Sequence, residues 1–150
     1  MRFLSMAWWS GDTEEDRSAQ YRQHFASIRH RLPPQLIHLE ESVALHDSRL
    51  RELTLDVSTR TLRLRVENYE GTHTTTLVYG AVVSFDSVAD PAVGLRGPHG
   101  YGDLGYDEVD VLADGVYEHR ILFSTGIELV IRFGEVAVSV EPLPPPVGPH

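Results

Sequence analysis

Two hydrophobic periods divide the chain, and the change from one to the other falls near residue 45. Ahead of it, apolar residues recur every three or four positions. Tyr21, Phe25, Ile28 and Leu32 stand four, three and four apart, which places them on one helical face. The spacing predicts a helix over 12–32. Asp12 or Thr13 can cap it, and Glu14, Glu15 and Asp16 suit the positive end of its dipole. Pro33-Pro34 stops the pattern, because proline lacks a donor and clashes with the preceding turn. A second, short helix follows with proline in its first turn and Leu36, Leu39 and Val43 on one side.

After Leu45-His46-Asp47 the period becomes two. Leu53, Leu55 and Val57 alternate with polar neighbours, as do Leu62, Leu64 and Val66, and Ser58-Thr59-Arg60 between them is of hairpin length. Residues 73–85 are β-rich in composition. The glycines and prolines of 86–105 read as a long loop. Strands then follow over 106–112, 116–124 and 127–133, separated by Asp114-Gly115 and Thr125-Gly126, with a last short strand at Val136, Val138 and Val140. The pattern predicts an α+β fold in which N-terminal helices precede a mainly antiparallel, curled β-sheet of about seven strands. Alternation implies one wet sheet face, with the helical stripe covering the other. The expected organisation is an arm over 1–11, one α+β domain over 12–141 and a disordered, proline-rich tail over 142–150.

Composition narrows the chemistry. A chain of 150 residues is one ordinary domain, and its 41% hydrophobic content supplies a core without help from metal or disulfide. There is no cysteine, which excludes disulfides, thiolate zinc sites and thiol catalysis. The net charge is −9 and every basic residue is arginine. That balance speaks against nucleic acid and against anionic membranes as partners, since both require a basic surface. The first nine residues are too short an apolar stretch for a secretory signal, so the expected compartment is the cytoplasm; Met6 is an alternative start. Trp8 and Trp9 read as a hydrophobic anchor.

Three groups carry candidate chemistry. His46-Asp47 can be half of a metal pair of the histidine–aspartate phosphohydrolase kind, but the helices that would bring further ligands are not written after residue 45; the plainer role is a helix-to-strand junction. His119 shares a strand face with Tyr117, Ile121 and Phe123, which suggests a hydrogen-bonded core histidine. It joins a metal site only if it meets His46 in space, with Asp47 or Asp107 as a further ligand. Asp107, Glu108, Asp110, Asp114 and Glu118 form an acidic group. It reads as a solvated strand face, as a docking surface for a basic protein (Asp110, Asp114 and Glu118 above all) or as a carboxylate pair for acid–base work. No residue is assigned as catalytic, and no metal or cofactor is expected. The glycines of 94–105 lack the Gly-Lys-Ser/Thr ending and the following helix of a phosphate loop. Ser84, Ser87 and Ser124 lack a nucleophile elbow.

At Leu45-His46-Asp47, Tyr106-Asp107-Glu108 and Glu118-His119-Arg120-Ile121-Leu122-Phe123 the chain resembles a group of uncharacterised bacterial domains of unknown function. In these a helical start leads to a Leu-His-Asp step, and an aromatic-Glu-His strand comes late. The resemblance spans residues 18–140. It lends no activity and implies that His46, Asp47 and His119 hold junctions of the fold. A looser likeness, in architecture and acidity, is to the immunity proteins that accompany polymorphic toxins. The expectation is a non-enzymatic protein-binding domain, with a small metal-dependent hydrolase or a small-molecule-binding domain as alternatives. Nothing in the sequence indicates oligomeric state.

Overall fold

The helices end where prolines and caps dictate. The computed structural model describes residues 1–11, 16–89 and 101–144, without the side chains of Val88 and Ala89. A four-residue helix, α1 (Met6–Trp9), is capped by Ser5. Helix α2 (Arg17–Ile28) begins at Asp16, whose carboxylate accepts from Ala19 N at 3.0 Å, and runs into a 3₁₀ turn at Arg29–Arg31. Asp16 thus takes the capping role expected of Asp12 or Thr13, both of which lie outside the described residues. Helix α3 (Pro34–Ser42) has proline at its first position and buries Leu36 and Leu39.

Eight strands follow: β1 (Arg49–Asp56), β2 (Thr61–Glu67), β3 (His73–Gly80), β4 (Ser84–Ala89), β5 (Leu104–Ala113), β6 (Val116–Phe123), β7 (Ile127–Phe133) and β8 (Glu135–Pro142). All pairings are antiparallel. They form two four-stranded sheets, in the orders β1-β2-β3-β8 and β4-β7-β6-β5. This corrects the expectation of one curled sheet of about seven strands.

A bulge explains the difference. Gly80 pairs with Glu135 and Ser84 with Arg132, so four steps on one side face three on the other. The extra residue is accommodated at Ala81, whose φ of +48° lies in the left-handed region. Gly134 N donates to both Gly80 O (3.1 Å) and Ala81 O (3.2 Å). The β-rich stretch 73–85 is therefore bent into two strands, and the paired ribbon β3–β4 against β7–β8 passes from one sheet into the other.

The core lies between the sheets and under α3. Leu62, Leu64, Val66, Leu77 and Tyr79 from the first sheet meet Val109, Ile121, Phe123, Leu129, Ile131 and Phe133 from the second. The outer face of the second sheet is not wet throughout, because Met1–Trp9 lie along it. Of the expected 86–105 loop, Asp86–Ala89 belong to β4 and Leu104 and Gly105 to β5, and residues 90–100 lie outside the described residues. Of the expected tail, Pro142 still pairs with His73 and Leu143 N donates to Thr72 O at 2.8 Å; residues 145–150 lie outside the description. Among the described residues no helix is long and apolar enough to cross a membrane.

Candidate functional site

The inner face of the second sheet carries an unusual polar group within the core. On β6 the period of two that turns Ile121 and Phe123 inward also turns His119 inward, and it is fully buried. Its Nε2 meets Asp107 Oδ2 of β5 at 2.7 Å, and its Nδ1 meets Tyr79 Oη of β3 at 2.6 Å. Asp107 only accepts when ionised, so a neutral imidazole carries its proton on Nε2 and takes the Tyr79 hydroxyl proton at Nδ1.

From Asp107 the chain of contacts continues to a carboxyl that the sequence did not single out. Glu40 of α3 is in hydrogen-bond contact with Asp107, and Glu40 Oε2 accepts from Tyr21 Oη at 3.3 Å. Tyr21 in turn accepts from Val109 N at 2.9 Å. Glu40 Oε1 is enclosed with no donor facing it. Burial, then the charge of Asp107 beside it, holds the Glu40 carboxyl well above the usual carboxylate range. Burial also pushes Asp107 upward, but the hydrogen bonds from Glu40 and His119 outweigh it and keep Asp107 below its ordinary value. The two shifts are opposite in sign, so a proton in this pair favours Glu40 over Asp107. Burial likewise raises the Tyr79 hydroxyl far above its ordinary value, so it remains a donor.

The outer face of the same strands holds the remaining acidic residues, and they are already partnered. Glu108, 4% exposed, accepts from Arg2 N (3.0 Å), Phe3 N (2.8 Å) and Leu4 N (2.6 Å). Asp110 pairs with Arg2 Nη1 at 2.6 Å and with His24 Nε2 at 3.0 Å. Glu118, 1% exposed, sits between Arg120 Nε (2.6 Å) and Arg132 Nε (2.9 Å). Although burial opposes it, these two arginines hold the Glu118 carboxyl below its usual range. Of the expected docking surface only Asp114 stands fully in solvent, so Asp110 and Glu118 do not present an open acidic patch.

His46 and Asp47 stand apart from His119. His46 Nδ1 donates to Gly105 O at 2.6 Å and its ring lies 4.9 Å from that of Tyr106. Asp47, at φ +64°, makes the turn; its N–H donates to Leu104 O at 2.7 Å. Trp8 and Trp9 meet Tyr106 edge-on at 4.7 and 5.3 Å, and a Cβ at Gly105 would collide with the Trp9 ring. Asp107 and His119 thus converge with Glu40, while His46 and Asp47 lie against the start of β5 at Leu104–Tyr106.

The exterior offers a different feature. Leu55, Val57 and Val83 are exposed, Val57 to 78% and Val83 to 60%, and with Arg60, Val82, Ser84 and Phe85 they line an open groove of about 240 Å³. Arg60 Nε donates to Val82 O at 3.2 Å and fixes the floor. Strands β1 and β4, which flank the groove, are both sheet edges. Ser84 Oγ is enclosed there without a partner.

Comparisons with known proteins place no function on these features. No protein-family model matches the chain, and no curated protein matches it. Among solved structures it is similar to an uncharacterized protein from Neisseria gonorrhoeae, with a TM-score of 0.46 and 19% identity over 67% of this chain and 95% of that one.

Proposed function

We propose that the chain is a non-enzymatic protein-binding domain, of the kind that covers and neutralises a basic protein, and that its docking surface is the apolar groove between β1 and β4. The observation that carries this reading is the grouping of Leu55, Val57 and Val83 in solvent around one groove between β1 and β4, which are edge strands among the described residues. Contiguous exposed apolar side chains mark interaction sites, and free edges accept an extended segment by backbone pairing. The net charge of −9 selects the partner's sign and speeds its approach, while the groove supplies contact area. The likeness to immunity proteins agrees with this assignment of roles.

The contact between Asp107 and His119 favours a second reading, a small metal-dependent hydrolase. That reading draws on His46 and Asp47 as well, and these lie against Gly105, Tyr106 and Leu104 instead. Affinity capture on the wild-type chain and on Val57→Asp and Val83→Asp, at low and high salt, tests the first reading. The expected partner is basic, is bound by the wild type when repurified, and loses at least about tenfold in affinity with either variant, about 1.4 kcal/mol. A repurified partner that binds both variants as well as the wild type overturns the groove as the docking surface. Turnover of a substrate by a chain that captures no partner favours the hydrolase.

A further inference from the structure

Buried charged groups persist only when they are paired or coordinated. One ligand atom each from Glu40, Asp107 and His119 lies within 4.8 Å of the other two. Two further observations separate this trio from an ordinary acidic cluster. Among the described residues no donor faces the enclosed Glu40 Oε1. His119 Nδ1 is held by Tyr79 at 2.6 Å, which turns Nε2 toward the carboxylates. Metal-ligating histidines generally donate their second ring N–H to an oxygen, a role that Tyr79 Oη fills once the ring proton sits on Nδ1. The three residues also come from separate elements anchored in the core, beside Leu39, Val109 and Ile121, so the donors are held in place by packing.

The geometry points to a binding site for one first-row divalent cation, of the Zn²⁺ or Mn²⁺ class, ligated by Glu40, Asp107 and Nε2 of His119. One imidazole with two carboxylates suits these ions better than Ca²⁺ or Mg²⁺, which favour oxygen alone. Bonds of about 2.0–2.2 Å bring ligand atoms to roughly 3–4 Å from one another, so the trio is already close to the span required. Three protein ligands leave a position for water, and the Asp107 side chain keeps 18% exposure as the route inward.

Ligation needs Nε2 of His119 without its proton, so on binding that proton moves to Nδ1, where the Tyr79 oxygen accepts it, and any proton held by the two carboxyls leaves to solvent. This proposal stands independently of the docking groove, which lies on other strands.

Calorimetric titration of the metal-stripped full chain with ZnCl₂ at pH 8 tests it. The expected result is one saturable site that takes about one ion per chain. Glu40→Gln keeps partners for Tyr21 and Asp107, so it folds, and it lowers the affinity at least about tenfold, the lower end of what even an outer-contact loss costs a metal site. His46→Ala, which removes the exposed His46–Asp47 pair at 3.5 Å, leaves the titration unchanged. In the wild type, Zn²⁺ shifts the ¹⁵N signals of the His119 ring and leaves those of His46 in place. Absence of a saturable site overturns the proposal. So does a site that keeps wild-type affinity in Glu40→Gln, or one that is lost with His46→Ala.

Discussion

Replacing His119 by alanine removes a side chain that is fully enclosed and bonded at both nitrogens, to Tyr79 at 2.6 Å and Asp107 at 2.7 Å. Two buried groups lose a partner at once. Each unpaired group costs about 1–3 kcal/mol, and the lost ring leaves space beside Ile121 and Phe123 that packing does not refill. Asp107 recovers part of its share, because its side chain is 18% exposed and water can reach it. The sum is a loss of about 4 kcal/mol, which for a chain of this length lowers Tm by roughly 8–16 °C. Urea unfolding followed by tryptophan fluorescence measures it. Tyr79→Phe removes one hydroxyl and leaves only His119 Nδ1 unpaired, so it costs less, about 1–2 kcal/mol. The double variant is then less destabilised than the sum of the singles, since both remove the same bond. A His119→Ala loss under about 1 kcal/mol, or strict additivity with Tyr79→Phe, refutes the relay as a fold-holding network.

Further outcomes follow from Glu40, Asp107, Glu108 and Ala81. Glu40 keeps its proton in the fold above the pH at which an unfolded glutamate loses it, so this group makes wild-type stability fall as pH rises from the ordinary carboxylate range toward the folded value, by about 1.4 kcal/mol per unit. Glu40→Gln lacks that loss, so its advantage in urea midpoint grows between pH 5 and 7; an advantage independent of pH contradicts the shared proton. Asp107 acts lower: its contribution is present above the unfolded value and disappears only as pH drops through its depressed folded value. Glu108→Ala leaves the Arg2, Phe3 and Leu4 amides without their acceptor and costs about 2–4 kcal/mol; hydrogen exchange at those three amides rises to unprotected rates, and unchanged protection counts against the docked arm. Ala81→Gly relieves a left-handed residue at the bulge and stabilises by roughly 0.5–1 kcal/mol in the same urea assay, whereas a loss shows that the methyl group's packing outweighs the strain.

The periodicities carried most of the architecture: helices up to Ser42, strands from Arg49 onward and hairpins at Asp114-Gly115 and Thr125-Gly126. They did not carry the division into two sheets, because the bulge at Ala81 interrupts a continuous β-rich stretch without a proline or glycine pair to mark it. Glu40 escaped for a different reason. It lies four residues after Leu36 and three before Val43, on the apolar stripe of α3, and a charged residue at such a position is itself the signal of an internal partner. Tyr21 was legible as part of an apolar stripe but not as a hydroxyl reaching Glu40. Asp107 and His119 meet only through the β5–β6 register, where Asp107 pairs with Ile121 and His119 with Val109. The burial of Glu108, Asp110 and Glu118 was hidden because it depends on the arm and on Arg120 and Arg132, contacts that strand alternation does not encode.

The account places recognition on the groove and leaves the acidic residues of β5 and β6 paired within the fold, and amide mapping separates the two directly. The ¹⁵N-labelled chain is titrated with its repurified basic partner and backbone shifts are followed by NMR. The account predicts that shifts concentrate at Leu55, Val57, Arg60, Val83, Ser84 and Phe85. Shifts confined to Tyr106–Arg120, with the groove residues unmoved, contradict it.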